Sequence, residues 1–299
     1  MLLGIGLSGA AASAPRACAD VKLGVREFSW SVGRSPNQVE TLVETSVQGA
    51  RRRVESAASG TGHDAEERPA RSVQIDRVDR DSSYFFRPDD SVFLPIPFAG
   101  TRASNRRGTQ AFLEAKTHGT APRDTLPPVR TIDLGRARTI LGEVCKGVVV
   151  ELVFSYHDSA MATDEQLTGV LSDTLWLAPA SSAASEIHRF ERDFARATAA
   201  DSFLAAANAV QLSQVHGQGL VSVLQRAIRA LPGYPLESSF VNLLYGLPKG
   251  LNIGDVERRP DGAVVVQRTV RRAVALSNAP LAAAQFEVPK GLRPVDRGP

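Results

Sequence analysis

Apolar and polar positions alternate with a period of two through most of the first third of the chain. Phe28, Trp30 and Val32 alternate with Glu27, Ser29 and Ser31, and Val39, Val43 and Val47 share a face with Thr41 and Thr45. This pattern puts every second side chain on one face of a half-buried strand. Ser72 to Val78 and Tyr84 to Leu94 predict further strands, the latter interrupted by the turn signal Arg87-Pro88-Asp89-Asp90. Between them, Ser56 to Arg71 is small, polar and Gly-containing, which predicts a long loop.

From Pro95 to Val129 the chain has five prolines and no sustained period, which predicts an irregular connection or insertion. Strands resume at Arg130 to Leu134 and Thr139 to Leu141. The clearest strand is Val144 to Tyr156, with Val148, Val150, Leu152, Phe154 and Tyr156 on one face. Val170 to Ala178 follows, with Leu171, Leu175 and Leu177 opposite Ser172, Thr174 and Trp176.

The period then lengthens. Ile187, Phe190 and Phe194 recur at the spacing of one helical face within Ser182 to Ala199, and Ser181 or Ser182 can cap its start. Ser202 to Leu231 is also helical in pattern, with a break near Gly217-Gln218-Gly219 and a stop at Pro232-Gly233. Strand patterns return at Leu236 to Tyr245, Ile253 to Arg259, Ala263 to Leu276 and Gln285 to Val288. Pro260-Asp261-Gly262 supplies a hairpin turn. Strands in meanders with helices grouped between them predict an α+β fold. Its expected form is a curved antiparallel sheet, an open half-barrel, covering helices.

Composition agrees with a globular chain of 299 residues, 43% apolar and 22% charged. Two cysteines exclude a disulfide scaffold. The net charge is only +3, and acidic residues are mixed in near the tightest basic run, Arg51-Arg52-Arg53. A solvated strand is therefore expected there, and no nucleic-acid partner.

Residues 1–14 are apolar or small, too few to span a bilayer but suited to the apolar core of a secretory signal peptide. Ala17-Cys18-Ala19 offers a small-x-small cleavage site that leaves Asp20 first. Lipidation at Cys18 would need an aliphatic residue three before it, where Pro15 stands. Residues 1–19 are thus read as a signal peptide, and 20–299 as one α+β domain with an irregular insertion at about 95–129. The expected address is periplasmic or extracellular. No later stretch is apolar enough for a membrane helix, so an integral membrane protein is not expected. Cys145, the one cysteine remaining, is expected to be buried and inert.

Chemical motifs are sparse. Gly4-Ile5-Gly6-Leu7-Ser8-Gly9 matches a dinucleotide-binding pattern but lacks the preceding strand that the chemistry needs. His63, His118, His157, His188 and His216 form no closely spaced pair, so no metal site is expected. The paired carboxylates Asp89-Asp90 and Glu66-Glu67 sit in turn or loop contexts, and no nucleophile elbow is present. No catalytic residue and no cofactor are assigned.

Four segments resemble a family of exported bacterial proteins, a domain of unknown function similar to the LolA-type half-barrel. They are Val47-Gln48-Gly49-Ala50-Arg51-Arg52-Arg53-Val54, Thr139-Ile140-Leu141-Gly142-Glu143-Val144-Cys145, Asp173-Thr174-Leu175-Trp176-Leu177-Ala178 with the helix after it, and Phe286-Glu287-Val288-Pro289-Lys290-Gly291-Leu292, which resembles that family's closing strand. The resemblance implies an envelope address and a lipid-sized cavity, and it supplies no catalytic residue.

The functional expectation is a non-enzymatic exported protein that binds a lipid or other apolar ligand, or an envelope protein partner. Phe28, Trp30, Val150, Phe154 and Trp176 are the candidate ligand-binding residues, on the premise that a bent sheet leaves a pocket beneath its helices. Two alternatives stand beside it. One is a secreted hydrolase whose site joins His157 or His216 to a distant Ser and Asp. The other is an interaction module using the Arg-rich strand or the segment near Pro127-Pro128.

Overall fold

The computed structural model describes residues 20–31, 37–60, 70–117, 128–156, 167–200, 218–247 and 257–295. The first six strands are β1 (Val21–Ser31), β2 (Asn37–Gln48), β3 (Arg51–Gly60), β4 (Ala70–Arg77), β5 (Ser82–Phe86) and β6 (Val92–Pro97). Helix α1 (Phe98–Thr117) follows, then β7 (Val129–Ile140), β8 (Glu143–Tyr156) and β9 (Leu167–Ala178). Helices α2 (Ser185–Thr198) and α3 (Gln218–Arg229) precede β10 (Tyr234–Tyr245), β11 (Val264–Ser277) and the short β12 (Arg293–Pro294).

All twelve strands form one sheet, in the order β12-β6-β5-β4-β3-β2-β1-β11-β10-β9-β8-β7. Neighbours are antiparallel except β12, which runs parallel to β6. The sheet is curved and open, and the fold is α+β. Its two halves meet where β1 pairs with β11, from Lys22↔Ser277 to Ser31↔Gln267. The first and last long strands of the described chain are therefore neighbours at the sheet's centre.

The amphipathic helices cover one face. In α3, Val223, Leu224, Ala227 and Ile228 pack against Val150, Leu152, Leu171, Leu175 and Leu177 of β8 and β9. In α2, Ile187 and Phe190 join Val21, Leu23, Val25, Val47 and Leu236. Ser182 precedes α2 in a turn, where its Oγ accepts the Ala184 N–H at 3.3 Å and donates to Glu143 Oε1 at 2.8 Å. Gly233 ends the α3 connection at φ +113°, and a Cβ there would lie 2.2 Å from the Ala178 carbonyl oxygen. No side chain fits that approach.

Three sequence expectations change. The stretch expected to be irregular contains the 20-residue helix α1. Its large apolar residues are Phe98 at the start and the adjacent Phe112 and Leu113 near the end, with no continuous apolar stripe between them, so the periodicity that marks helices is missing from the sequence. Tertiary anchors hold it: the Phe98 ring meets Phe194 edge-on at 5.3 Å, and Arg102 pairs with Asp81. Second, the closing Phe286 segment is a 3-10 turn, Ala283–Phe286, and not a strand. Phe286 is fully buried there, and Arg77 Nη1 donates to its carbonyl at 3.3 Å, so a buried guanidinium replaces a strand partner. Third, the loop after Ser56 shrinks, because β3 runs to Gly60 and β4 starts at Ala70.

The Pro260-Asp261-Gly262 turn is present, with Gly262 N–H donating to Arg259 C=O at 3.0 Å. Residues 253–256 of the strand expected before it lie outside the described residues, and Arg258 makes an isolated bridge to Val264. The 201–217 part of the second helical pattern also lies outside them, as do residues 1–19. Among the described residues, no helix is long and apolar enough to cross a membrane.

Candidate functional site

Between the helix-covered face and α2 and α3 lies a cavity of about 780 Å³. That is within the usual range for small-molecule sites, roughly 300–1,000 Å³. Its floor comes from β9, β10, β11 and β1, whose cavity-facing positions follow from the registers. Glu27 lies opposite Arg271, Arg271 opposite Ser238, and Ser238 opposite Leu175. One side is apolar, formed by Leu175, Phe240, Leu224 and Ile228. The other is polar, with Glu27, Gln267, Thr269 and Arg271 from the central strands and His188 and Glu191 from α2.

Three charges in this wall, Glu27, Arg52 and Arg271, have ion-pair partners. Arg271 Nε lies 3.2 Å from Glu27 Oε2. Arg52 donates to the buried Asp76 at 2.8 and 2.7 Å, while its guanidinium lies 5.0 and 5.1 Å from the ring centres of Phe190 and Phe194. Asp76 also accepts from Ser83 Oγ at 2.5 Å and Gln74 Nε2 at 2.8 Å. A flat guanidinium stacked on rings and held by a carboxylate is a fixed piece of wall. Its neighbours are paired too, Arg51 with Asp79 at 3.4 Å and Arg53 with Glu55 at 2.5 Å. His188 Nε2 donates to the Arg229 carbonyl at 2.9 Å and so ties α2 to the end of α3.

Asp173 is different. It occupies the inward position between Leu171 and Leu175 on β9 and is only 7% exposed. Its Oδ1 is buried without a hydrogen-bond partner. Burial pushes the carboxyl up to about 7, against the opposing pull of the Arg271 charge and the Ser239 backbone N–H. An acceptor in that state has full capacity for a donor brought by something else.

The five candidates from the sequence do not gather in this cavity. Val150 is fully buried beneath α3, and Phe154 joins the same cluster with its ring lying over Gly169. Phe28 and Trp30 alternate with the cavity-facing Glu27 and Ser29, so these two project to the opposite face, whereas Trp176 follows Leu175 and packs against the buried cluster that α2 joins, outside the cavity lining. On that opposite face Trp30 packs against the buried cluster of Leu243, Ala263 and Val265. Trp176 lies beneath the Arg138 guanidinium at 4.4 Å. Cys145 is fully buried, and burial raises its thiol above the ordinary range. His157 and His216 lie outside the described residues, as does the Gly4–Gly9 motif. Among the described residues, no group of three or more His, Cys, Asp or Glu could hold a metal ion.

Asp173 was visible in the sequence as the one acidic residue in the apolar face Leu171, Leu175, Leu177. Arg52, Arg271, Phe194, Leu224 and Phe240 come together only through long-range pairing, and no local motif marks them.

No family model matches the chain, and no curated protein matches it. Among solved structures, a candidate outer membrane lipoprotein-sorting protein domain from Vibrio parahaemolyticus is similar at a TM-score of 0.27 and 7% identity, covering 91% of this chain and 90% of that one. A LolA superfamily protein from Nitrosomonas europaea is similar at 0.25 and 9% identity, covering 91% of both chains.

Proposed function

We propose that the protein is an exported binding protein whose cavity between the sheet and α2 and α3 takes an amphiphilic, largely apolar ligand. The observation that carries this reading is the cavity of about 780 Å³ with Leu175, Phe240, Leu224 and Ile228 along one side. Leu175 and Leu224 are buried, so the apolar area left facing water belongs to the half-buried Ile228 and Phe240; it is unfavourable by roughly 25 cal/mol per Å², and an acyl-sized ligand would cover it. The charged far side corrects the expectation of a purely greasy pocket and suits the polar end of an amphiphile. Export rests on the N-terminal segment. Asp20, the first residue after the expected cut, is tied into the fold, its Oδ2 accepting from Leu281 N–H at 2.6 Å and Gln48 Nε2 at 3.1 Å.

The test is native mass spectrometry of protein purified from the cell envelope. The expected spectrum shows a chain beginning at Asp20 plus one lipid-sized adduct that organic solvent removes. A bare chain in every preparation would count against ligand carriage, and an intact mass that retains residues 1–19 would count against export.

A further inference from the structure

Among the described residues of the cavity wall, Asp173 has a buried side-chain oxygen that the protein leaves without a hydrogen bond. Asp173 lies where the apolar side meets the polar one, next to Leu175 and paired with Phe240, whose other neighbour is Thr269 of the polar wall. Native interiors seldom leave such an acceptor unmatched, because each costs about 1–3 kcal/mol. Two of the cations in the wall are already engaged, Arg271 by Glu27 and Arg52 by Asp76. Neither forms an ion pair with Asp173, and Arg271 acts on it only as a nearby charge.

From these groups we infer that the ligand carries a hydroxyl at its polar end, and that Asp173 is the residue that selects it. This rests on the cavity reading above and adds the class of head group. A hydroxyl serves a carboxyl in either protonation state, donating to the carboxylate and accepting from the acid. A methyl ester offers no donor and would leave the oxygen unpaired. A carboxylate head would meet a like charge at Asp173 and would depend on Arg229, the remaining arginine of the wall. The selected class is therefore an uncharged hydroxyl amphiphile, such as a monoacylglycerol or a long-chain alcohol.

The experiment measures equilibrium binding of three probes that share one chain: 1-lauroylglycerol, lauric acid and methyl laurate, each below its aggregation concentration. Wild-type protein should bind 1-lauroylglycerol about tenfold or more tighter than methyl laurate, the ratio that one unmatched acceptor implies. Asp173→Val, which removes the acceptor, should bring those two affinities within about twofold. Asp173→Asn keeps a carbonyl oxygen and should retain the preference for the hydroxyl probe. Equal affinities in the wild type, tightest binding of lauric acid, or a preference that survives in Asp173→Val would overturn the head-group assignment while leaving the cavity reading intact. Failure of all three probes to bind would overturn the cavity reading, and the assignment with it.

Discussion

Leu141 has φ +51° and Gly142 φ +85° in the two-residue turn between the paired residues Ile140 and Glu143. Both central positions of such a hairpin need positive φ, which glycine adopts freely and leucine does not. Leu141 is also 44% exposed, so little packing compensates. Leu141→Asn should therefore stabilise the protein by about 1 kcal/mol, read as a higher denaturation midpoint in urea. Asp173 makes a prediction of opposite character. Its folded pKa is raised to about 7 from an ordinary 3.8, so the folded state holds a proton that the unfolded state has lost between those values. Stability from this group is complete below pH 3.8 and falls as pH rises towards 7. Asp173→Asn should leave Tm unchanged near pH 4 and raise it at pH 8. An equal shift at both pH values would contradict the buried, unpaired carboxyl.

At the scale of elements, α3 is held to the sheet by its apolar stripe. Leu224 is 1% exposed and packs among Leu171, Leu175 and Val150. Leu224→Ala should cost about 3 kcal/mol in chemical denaturation, and it enlarges the apolar side of the cavity. Helix α1 is held differently. Arg102 Nη1 donates to the Ala197 carbonyl at 3.0 Å and Asn105 Nδ2 to the Thr198 carbonyl at 2.9 Å, which satisfies carbonyls left over at the end of α2. This contrast explains what the sequence discloses. α2 and α3 are legible because burial of one face imposes a 3.6-residue period, and β8 and β11 because the sheet imposes a period of two. The described side chains of helix α1, up to Gln110, are mostly exposed or small, and it docks through polar groups at long range, so it carries no period to detect. For the candidate site, the strand faces were legible, but which face the helices cover was not. Phe28 and Trp30 have the residue types of a greasy pocket and stand on the other face of the sheet.

For the molecule as a whole, the organising feature is the junction of β1 with β11, which makes one open sheet from the two ends of the chain. A second long-range tie closes the C-terminal segment onto β4. Arg77, only 2% exposed, donates to Asp79 at 2.9 and 2.8 Å, to Glu287 at 2.5 Å and to the Phe286 carbonyl. The hydrogen bonds to Arg77 hold the Asp79 carboxyl below its usual range; at Glu287 burial pushes upward, and the charges and bonds of Arg77 and Arg80 outweigh it. The β1–β11 junction sets the strands of the cavity floor side by side, and helices on one face alone leave the cavity roofed but unfilled. Ser238 lies in its floor, opposite Leu175 and Arg271. A bulky side chain at that position would occupy the space a ligand needs. The most direct measurement is a fluorescence titration of wild type and Ser238→Trp with the apolar dye N-phenyl-1-naphthylamine, folding being checked by circular dichroism. Saturable one-site binding by the wild type, lost in a folded Ser238→Trp, is the predicted result. Absence of saturable binding by the wild type, or equal binding by both proteins, would contradict a ligand site between the sheet and its helices.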